Sequence, residues 1–274
     1  MKLKKKIDTI PISTKVTDED LENAITIDGA KYSRDKKRLL KGVDINAFHI
    51  LPGTEVICDY AFSDCKNLQQ ITIPNSVTHI GTNPFAGCYH IRLECHSNHF
   101  IIDGKALFNK ERNRIISCMS NDSTFTIPNS VTHIGDYAFS GCSDLQQITI
   151  PNSVTHIGDS AFYECYDLQQ ITIPNSVTHI GTNPFAGCYH IRLECHSNHF
   201  IIDGKALFNK ERNRIISCMS NDSTFTIPNS VTHIGDGAFR GCKNLQQITI
   251  PCGARAKFEK LLPSRYHQRL KEMD

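Results

Sequence analysis

This chain of 274 residues contains no tryptophan, and none of its apolar runs approaches the roughly 20 residues that a membrane-spanning helix needs. Neither sign of charge is in excess, because 30 lysines and arginines stand against 28 aspartates and glutamates. No strong electrostatic field favours nucleic acid or an anionic membrane, so neither is predicted as a partner. The basic start of the chain leads into Asp8 and Pro11 instead of an apolar segment, so no secretory signal peptide is predicted.

The sequence also lacks the marks of an enzyme. It has no glycine-rich phosphate loop, and its serines, histidines and aspartates recur at regular spacing along the chain. A catalytic centre needs one asymmetric arrangement of side chains, whereas a residue that recurs regularly points to a structural role. We therefore predict that the protein is not an enzyme, with no catalytic residue and no cofactor.

What the chain has instead is repetition. Residues 68–136 are identical to residues 168–236, and a shorter period of 22 or 23 residues recurs along the chain. The repeating unit reads IPNSVTHIGDYAFSGCSDLQQIT. Such a period predicts a solenoid, in which each unit forms one rung that buries its apolar side only by stacking on its neighbours. The rungs begin at Leu51, Ile73, Cys95, Ile127, Ile150, Ile173, Cys195, Ile227 and Ile250.

Each unit is predicted to contain two short extended segments and one turn. The LQQITIP segment alternates, with Ile148 and Ile150 on one side and polar residues on the other, which indicates a half-buried strand. The VTHIG segment predicts a second extended stretch ending at Gly158, where we expect a backbone conformation that side chains disfavour. The DSAFYEC segment predicts one tight helical turn that places Phe162 and Cys165 inward.

Six of the twelve cysteines share one repeat position, three residues after an AF or PF pair. They are Cys65, Cys88, Cys142, Cys165, Cys188 and Cys242. Neighbouring rungs would place their Cα atoms about 4.8 Å apart, within the range of a disulfide. In-register parallel rungs, however, point these side chains in the same direction, which is poor geometry for a disulfide bond. We predict a ladder of buried free thiols that pack as small apolar groups. So many cysteines without a signal peptide favour a reducing compartment.

Two of the units are 32 residues long because they contain an insert, which begins at His99 and again at His199. The insert is predicted to form a hairpin, since Asp103-Gly104 separates two apolar runs. After the last rung, apolar residues at helical spacing around Phe258 predict a helix that covers the end of the core.

These patterns divide the chain into three predicted parts. A cap precedes a solenoid of three super-repeats, and a helical cap follows it. The predicted bounds are 1–23 for the N-terminal cap, 24–252 for the solenoid with super-repeats 24–95, 96–195 and 196–252, and 253–274 for the C-terminal cap.

The unit IPNSVTHIGDYAFSGCSDLQQITIP resembles the BspA-like (Treponema pallidum type) leucine-rich repeat, whose pattern is roughly IPxxVTxIGxxAFxxCxxLxxIxIP. The IDG hairpin and the closing helix are similar to parts that recur in such proteins of gut and oral Bacteroidota. The resemblance extends over nearly the whole chain beyond residue 24. It implies a mainly-β repeat solenoid, a curved right-handed coil with a parallel sheet on its concave face. It also implies short helical turns on the side opposite this sheet, β-hairpin inserts and a C-terminal capping helix. In function, the resemblance implies recognition of host matrix proteins or other bacteria.

Histidines raise the question of a metal site, because His133, His156 and His179 share one position on successive rungs. Stacked neutral imidazoles could bind a divalent ion, but no carboxylate or cysteine at that position completes a ligand shell. A second group within residues 88–99 has the residue types of a zinc site, but its cysteines fall on inward positions. We assign no metal ligand, and a metal-binding module remains the remote alternative.

Two surfaces are candidate binding sites. The first is the outward side of the predicted strands, a polar ladder that either solubilises the sheet or docks an extended polypeptide or glycan. Its candidates are Gln70, Thr72, Arg92, Glu94, Gln147, Thr149, Gln170, Thr172, Arg192 and Glu194. The second is the turn around the ladder cysteine, where the units differ, either because any polar residue is tolerated or because exposed aromatics anchor an interface. Its candidates are Tyr89, Tyr163, Tyr166, Tyr189 and Arg240.

The sequence therefore predicts a non-enzymatic, monomeric, protein-binding solenoid that acts in adhesion or host interaction. The alternative is an intracellular scaffold for protein interactions, which the missing signal peptide and the reduced cysteines favour. The sequence as given predicts a cytoplasmic location, whereas the family resemblance implies the cell surface or secretion if a signal was removed.

Overall fold

The computed structural model describes residues 12–88 and 91–273 of the chain. The chain divides into two compact units, residues 1–102 (unit 1) and residues 103–274 (unit 2). Within each unit, short strands from successive repeats pair side by side, and helices are few. The predicted mainly-β repeat solenoid is confirmed. Part of the predicted N-terminal cap, residues 1–11, lies outside the described residues.

From residue 12 onward, unit 1 contains a short helix followed by strands from successive rungs. The elements are α1 (Asp18–Glu22), β1 (Ile25–Ile27), β2 (Ala30–Tyr32), β3 (Arg38–Lys41), β4 (Ala47–His49), β5 (Val56–Ile57), β6 (Gln70–Ile73), β7 (His79–Ile80) and β8 (Arg92–Cys95). Strand β9 (Phe100–Asp103) follows in the chain. One sheet has the order β1-β2-β3-β5-β7, in which β1 to β3 are antiparallel and the remaining pairs are parallel. A second, parallel sheet has the order β4-β6-β8.

Unit 2 contains most of the remaining strands and the C-terminal helices. The elements are β10 (Ala106–Asn109), β11 (Arg114–Cys118), β12 (Thr124–Thr126), β13 (His133–Ile134), β14 (Gln147–Thr149), β15 (His156–Ile157), β16 (Gln170–Ile173), β17 (His179–Ile180), β18 (Arg192–Cys195), β19 (Phe200–Asp203), β20 (Ala206–Asn209), β21 (Arg214–Cys218), β22 (Thr224–Thr226), β23 (His233–Ile234), β24 (Gln247–Ile250), α2 (Arg255–Leu261), the 3₁₀ helix η1 (Ser264–Arg269) and β25 (Leu270–Glu272). Its sheets contain β10-β11-β13-β15-β17, β12-β14-β16-β18, β19-β20-β21-β23 and β22-β24-β25.

Register between rungs follows the sequence repeat. In unit 2, His133 pairs with His156, and His156 pairs with His179, so equivalent residues lie directly side by side. Within each strand, side chains alternate between the two faces of the sheet. Ile148 is buried while its neighbours Gln147 and Thr149 are exposed, as the alternation in LQQITIP predicts.

The core of unit 2 is a column of stacked phenylalanines. The ring centroids of Phe139 and Phe162 lie 5.2 Å apart, those of Phe162 and Phe185 lie 5.6 Å apart, and both pairs are close to parallel. Next to the rings, the thiols of Cys165 and Cys188 each donate to a phenylalanine carbonyl at 3.1 Å. All twelve cysteines are free, and the six at the ladder position are buried, so the predicted thiol ladder is confirmed.

The segment after VTHIG differs from the predicted helical turn in its details. It consists of successive turns, because Ser160 and Glu164 adopt positive φ angles of 48° and 58°, which interrupt a helix. The amides of Phe162 and Glu164 each donate at 2.8 Å to carbonyls of the next rung, at Pro184 and Ala186. Backbone donors that a helix would use internally therefore join the rungs together.

The prediction that Gly158 adopts a backbone conformation disfavoured by side chains was wrong. Its φ is not among the positive values, so no disfavoured conformation requires glycine there. A Cβ at Gly158 would instead lie 2.5 Å from Asp136 Oδ1 and 2.6 Å from the Asp136 amide nitrogen. Glycine is needed because two rungs approach closely at this point, where the amide of Asp159 donates to the same Asp136 oxygen.

The inserts form antiparallel strands, as predicted. In unit 2, β19 pairs with β20 so that Asp203 faces Ala206, with Gly204 and Lys205 between them. Strand β20 then pairs antiparallel with β21, and β21 returns to the parallel register of the rungs by pairing with β23. The insert is therefore a three-stranded extension that re-enters the stack.

The predicted C-terminal helix is present as α2. Phe258, Leu262, Tyr266 and Leu270 are buried in one cluster with the last rungs, and the Tyr266 hydroxyl donates to the Phe239 carbonyl at 3.1 Å. The sequence did not predict that β25 adds a parallel strand beside β24.

Candidate functional site

The outward residues of β12, β14, β16 and β18 form one surface of unit 2, here called the polar strand face. Gln147 lies beside Gln170, and Gln170 lies beside Arg192 on the next strand. Thr172 lies beside Glu194 in the neighbouring row. The structure therefore brings the predicted ladder residues of unit 2 together in two rows, because parallel in-register strands align equivalent positions.

These rows enclose an open depression of about 560 Å³. Predicted residues that line it are Gln147, Thr149, Gln170, Thr172 and Arg192. Among the described residues, the side-chain amides of Gln147 and Gln170 have no hydrogen-bond partner within the protein. The surface thus presents amide donors and acceptors together with hydroxyl groups, which suit the polar groups of an extended chain.

Arg192 is the charged end of the polar strand face. Its guanidinium lies 3.1 Å from Glu194 Oε1, and its side chain is 77% exposed. An exposed ion pair of this kind contributes only about 0–1 kcal/mol to stability. The guanidinium can therefore turn toward a ligand at little energetic cost.

Unit 1 has a shorter version of this surface on β4, β6 and β8. Gln70 lies beside Arg92, and Thr72 lies beside Glu94, as in unit 2. The rows end differently, however, because Ala47 lies beside Gln70 where unit 2 has a second glutamine. The ten candidates of the polar ladder all occupy strand positions on outward faces, half-buried or exposed.

The variable turns of unit 2 bring tyrosines and basic residues together, and we call this group the aromatic turn cluster. The rings of Tyr166 and Tyr189 stack with centroids 6.1 Å apart. Lys243 Nζ lies 5.7 Å and 5.4 Å from the same two centroids. The Arg240 guanidinium lies 5.0 Å from the centroid of Tyr163.

Four of the five turn candidates therefore belong to one cluster, and the fifth, Tyr89, lies outside the described residues. Sequence reasoning left Lys243 out of the candidate set. A signal for it was present, because Lys243 shares its repeat position, directly after the ladder cysteine, with Tyr166 and Tyr189.

Two phenols of the cluster, those of Tyr163 and Tyr166, have raised pKa values. Burial, followed by the neighbouring Glu164 carboxylate, raises the pKa of Tyr166 to about 12. The same two causes raise the pKa of Tyr163. A phenol that keeps its proton remains a hydrogen-bond donor at neutral pH.

The histidine column lies on β13, β15 and β17. The imidazole centroids of His133, His156 and His179 are 4.3 Å apart in succession, and the rings are nearly parallel. Burial, followed by the charge of Arg114, lowers the pKa of His133, and burial followed by the neighbouring histidines lowers the pKa of His156. Both rings are therefore neutral at pH 7.

Each imidazole of this column is held by the threonine before it, whose hydroxyl lies 2.7–2.8 Å from Nδ1. Within residues 12–88 and 91–273, no three His, Cys, Asp or Glu side chains are grouped so that they could hold a metal ion. The second histidine and cysteine group includes His90, which lies outside the described residues. Of its cysteines, Cys88 is buried and Cys95 is half-buried.

Comparison with known proteins identifies the repeat. The chain matches the BspA type leucine-rich repeat region, in six copies, over residues 36–124, 116–221 and 212–256. A solved leucine-rich repeat protein from Eubacterium ventriosum ATCC 27560 is 26% identical, with a TM-score of 0.51. That match covers 76% of this chain and 49% of the other, so this chain spans about half the length of that protein.

Two further solved structures match this chain. A leucine rich cell surface protein from Faecalibacterium prausnitzii A2-165 is 25% identical over 83% of this chain and 70% of its own, with a TM-score of 0.46. The pneumococcal vaccine antigen PcpA is 18% identical over 83% of this chain and 62% of its own, with a TM-score of 0.43. No curated protein matches the sequence. The described part of the chain contains no helix with the length and apolar character to cross a membrane.

Proposed function

Because the chain belongs to the BspA type leucine-rich repeat family, we propose that it is a non-enzymatic solenoid that binds a partner protein in adhesion or host interaction. Proteins built from leucine-rich repeats generally bind other proteins, and their fold is typically non-enzymatic. Stacked repeats create extended surfaces that suit such binding.

The observation that carries the proposal is the polar strand face of unit 2. It combines an open depression with amide groups that have no partner among the described residues. A partner segment in extended conformation would exchange hydrogen bonds with Gln147 and Gln170, and Arg192 would contact a carboxylate or carbonyl oxygen at the end of the row. A glycan is the alternative ligand of the same surface, since its hydroxyl groups would meet the same donors and acceptors.

A role as an intracellular scaffold is the second candidate. The observation that favours it is the set of twelve cysteines, all of them free. Free thiols persist in reducing compartments, whereas secreted proteins commonly carry disulfides. Cell fractionation separates the two proposals, because protein found only in the cytosol would rule out adhesion.

The binding test uses the purified chain and a partner captured from host extract or from native lysate. We expect Arg192→Ala to weaken binding about tenfold, because truncation of an interface arginine often costs more than about 1 kcal/mol. Arg92→Ala is the matched control, since Arg92 occupies the same register position in unit 1. Isothermal titration of both variants gives the dissociation constants.

Equal affinity of wild type and Arg192→Ala would contradict a role for the polar strand face. A captured ligand that is a glycan, with no bound protein, would contradict the proposal of a protein partner. A larger loss in Arg92→Ala than in Arg192→Ala would move the binding surface to unit 1.

A further inference from the structure

A second depression in unit 2, of about 490 Å³, lies where the last turn meets the C-terminal segment. Four basic residues line it, and its lining contains no carboxylate. They are Arg240, Lys243, Arg265 and Arg269. We call it the basic depression.

The charges of the basic depression are not neutralised within the described residues. None of its four basic side chains has a carboxylate oxygen within 4.0 Å in residues 12–88 and 91–273. Two acidic residues of the C-terminal segment are engaged elsewhere. Glu259 lies 2.9 Å from the Arg255 guanidinium, and Glu272 accepts from the Arg255 amide at 3.0 Å. On the turn side, the Glu164 carboxylate interacts with the phenols of Tyr163 and Tyr166.

Aromatic rings hold these cations in place without cancelling their charge. Arg240 and Lys243 lie over the tyrosines of the aromatic turn cluster. On the other side, the guanidinium groups of Arg265 and Arg269 lie 5.0 Å and 5.7 Å from the centroid of Tyr266. Cation–π contacts of this kind reduce side-chain freedom, so less conformational entropy is lost when an anion binds.

The basic depression is also unique along a repetitive chain. The position of Arg240 is occupied by Ser140 in the rung that begins at Ile127, and the position of Lys243 is occupied by Ser143. Arg265 and Arg269 follow the last rung and have no repeat equivalent. No repeat imposes this residue pattern. Arg269 Nη1 donates to the Leu245 carbonyl at 2.6 Å and so joins the C-terminal segment to the last rung, but this contact does not explain why three further basic residues lie beside it.

We propose that the basic depression binds an acidic segment of a partner protein. The inference rests on the proposed protein-binding function and names a second contact, separate from the polar strand face. Arginine guanidinium groups pair with carboxylates through two parallel hydrogen bonds, which suits aspartate and glutamate side chains. A nucleic acid is a poorer fit, because single strands bind by stacking bases on free aromatic faces, and each tyrosine here already has a cation or a ring against a face.

The test is fluorescence anisotropy with a labelled oligoglutamate peptide and the full chain. We expect binding that weakens as salt rises from about 0.1 M to about 1 M, which shortens the screening length from about 10 Å to about 3 Å. The double variant R240S/K243S introduces the serines that the Ile127 rung carries at these positions, so it preserves a turn that the chain already folds. Loss of two exposed pairs should weaken the peptide about fivefold to tenfold.

Lys66→Ser is the matched control, because Lys66 occupies the repeat position of Lys243 in unit 1. We expect it to leave peptide affinity unchanged. Arg265→Gln is the second variant, and it should weaken the peptide even if the double variant proves unstable by circular dichroism. No salt-sensitive peptide binding, or equal loss in Lys66→Ser, would overturn the proposal. Tighter binding of a single-stranded oligonucleotide or of heparin than of the peptide would also overturn it.

The outcome is separable from that of the proposed function. If the peptide fails to bind while Arg192→Ala still weakens the captured partner, only the basic depression is disproved. If the peptide binds while no variant of the polar strand face affects the partner, the strand-face proposal fails and the acidic-segment proposal stands.

Discussion

The polar strand face and the aromatic turn cluster are built on the same rungs of unit 2, but they use the repeat in opposite ways. On β14 and β16, equivalent positions carry the same residues, so Gln147 and Gln170 lie side by side, and the row ends at Arg192 on β18. Along the turns, equivalent positions carry serine, tyrosine, alanine or arginine. The strand face is therefore periodic, whereas the turn cluster is a single arrangement that occurs at one place in unit 2.

This difference indicates what kind of contact each surface suits. On β14 and β16, the strand face offers the same amides and hydroxyls in two neighbouring rows, which fits an extended segment that crosses these rungs. A cluster formed by Arg240 and Lys243 against tyrosines offers one localised charge, which fits a specific group of the partner. Both surfaces depend on the same buried column, because the strands and turns of a rung pack on either side of it.

The largest expected effect is on that shared column. Phe162→Ala removes the middle ring of the stack formed with Phe139 and Phe185. Truncation of a fully buried phenylalanine costs about 3–5 kcal/mol, so we expect a matching drop in the free energy of unfolding in urea. Binding at both surfaces should fall together with stability.

Tyr163→Ala is the control for this substitution, because Tyr163 is the adjacent residue but is only half-buried and lies outside the column of stacked phenylalanines. It should lower the free energy of unfolding by less than about 1 kcal/mol, in the range of ordinary surface substitutions. Equal destabilisation by the two variants would show that the column does not carry the stability of the rung.

The next effect concerns the independence of the two surfaces. Arg192→Ala and R240S/K243S alter residues that share no partner, and independent sites combine additively within about 0.5 kcal/mol. We expect the loss of partner affinity in the combined variant to equal the product of the two separate fold-changes. A combined loss no greater than that of either variant alone would mean that the partner does not contact both surfaces at once.

A smaller effect is expected from the histidine column. The folded-state pKa values of His133 and His156 lie below the ordinary value of 6.5, so the unfolded chain takes up protons first as pH falls. Stability is therefore fully present above pH 6.5 and is lost as the pH falls through the lowered folded-state values. His156→Gln should flatten this loss in urea unfolding measured between about pH 7.5 and about pH 5.

His233→Gln is the matched control, because His233 holds the same repeat position and the same threonine contact but has no stacked histidine among the described residues. This variant removes an imidazole at the equivalent position without disturbing the stack of His133, His156 and His179. If His233→Gln flattens the curve as much as His156→Gln does, stacking is not the cause.

The smallest effect is a difference in rate between thiols. Cys252 is exposed, whereas burial raises the pKa of Cys65 to about 11 and of Cys88 to about 12. The reactive form of a thiol is the thiolate, so Cys65 and Cys88 should react slowly with a thiol reagent. We expect one fast thiol per native chain, lost in Cys252→Ser. Several equally fast thiols in the variant would contradict the buried ladder.

Repetition made much of this fold predictable. The register of β13, β15 and β17, the thiol ladder and the insert hairpin all follow from residues that recur at fixed positions. Features that arise between rungs were harder to predict. Gly158 is needed because Asp136, one rung away, lies close to it. The sequence pattern of a single rung does not indicate how closely two rungs approach each other.

The candidate surfaces show the same division. The alternation of apolar and polar residues predicted which strand positions face outward, and the residues of the polar ladder occupy such positions. The basic depression could not be predicted from the sequence, because Arg265 and Arg269 belong to a segment without a repeat pattern. They lie near Lys243 only because of tertiary packing.

The most direct test of the central claim is cross-linking mass spectrometry of the chain with its captured partner, together with amide hydrogen exchange. We predict protection of β14, β16 and β18 and cross-links from Lys243 to acidic residues of the partner. Protection absent from these strands, with cross-links confined to unit 1 or to the histidine column, would contradict the account.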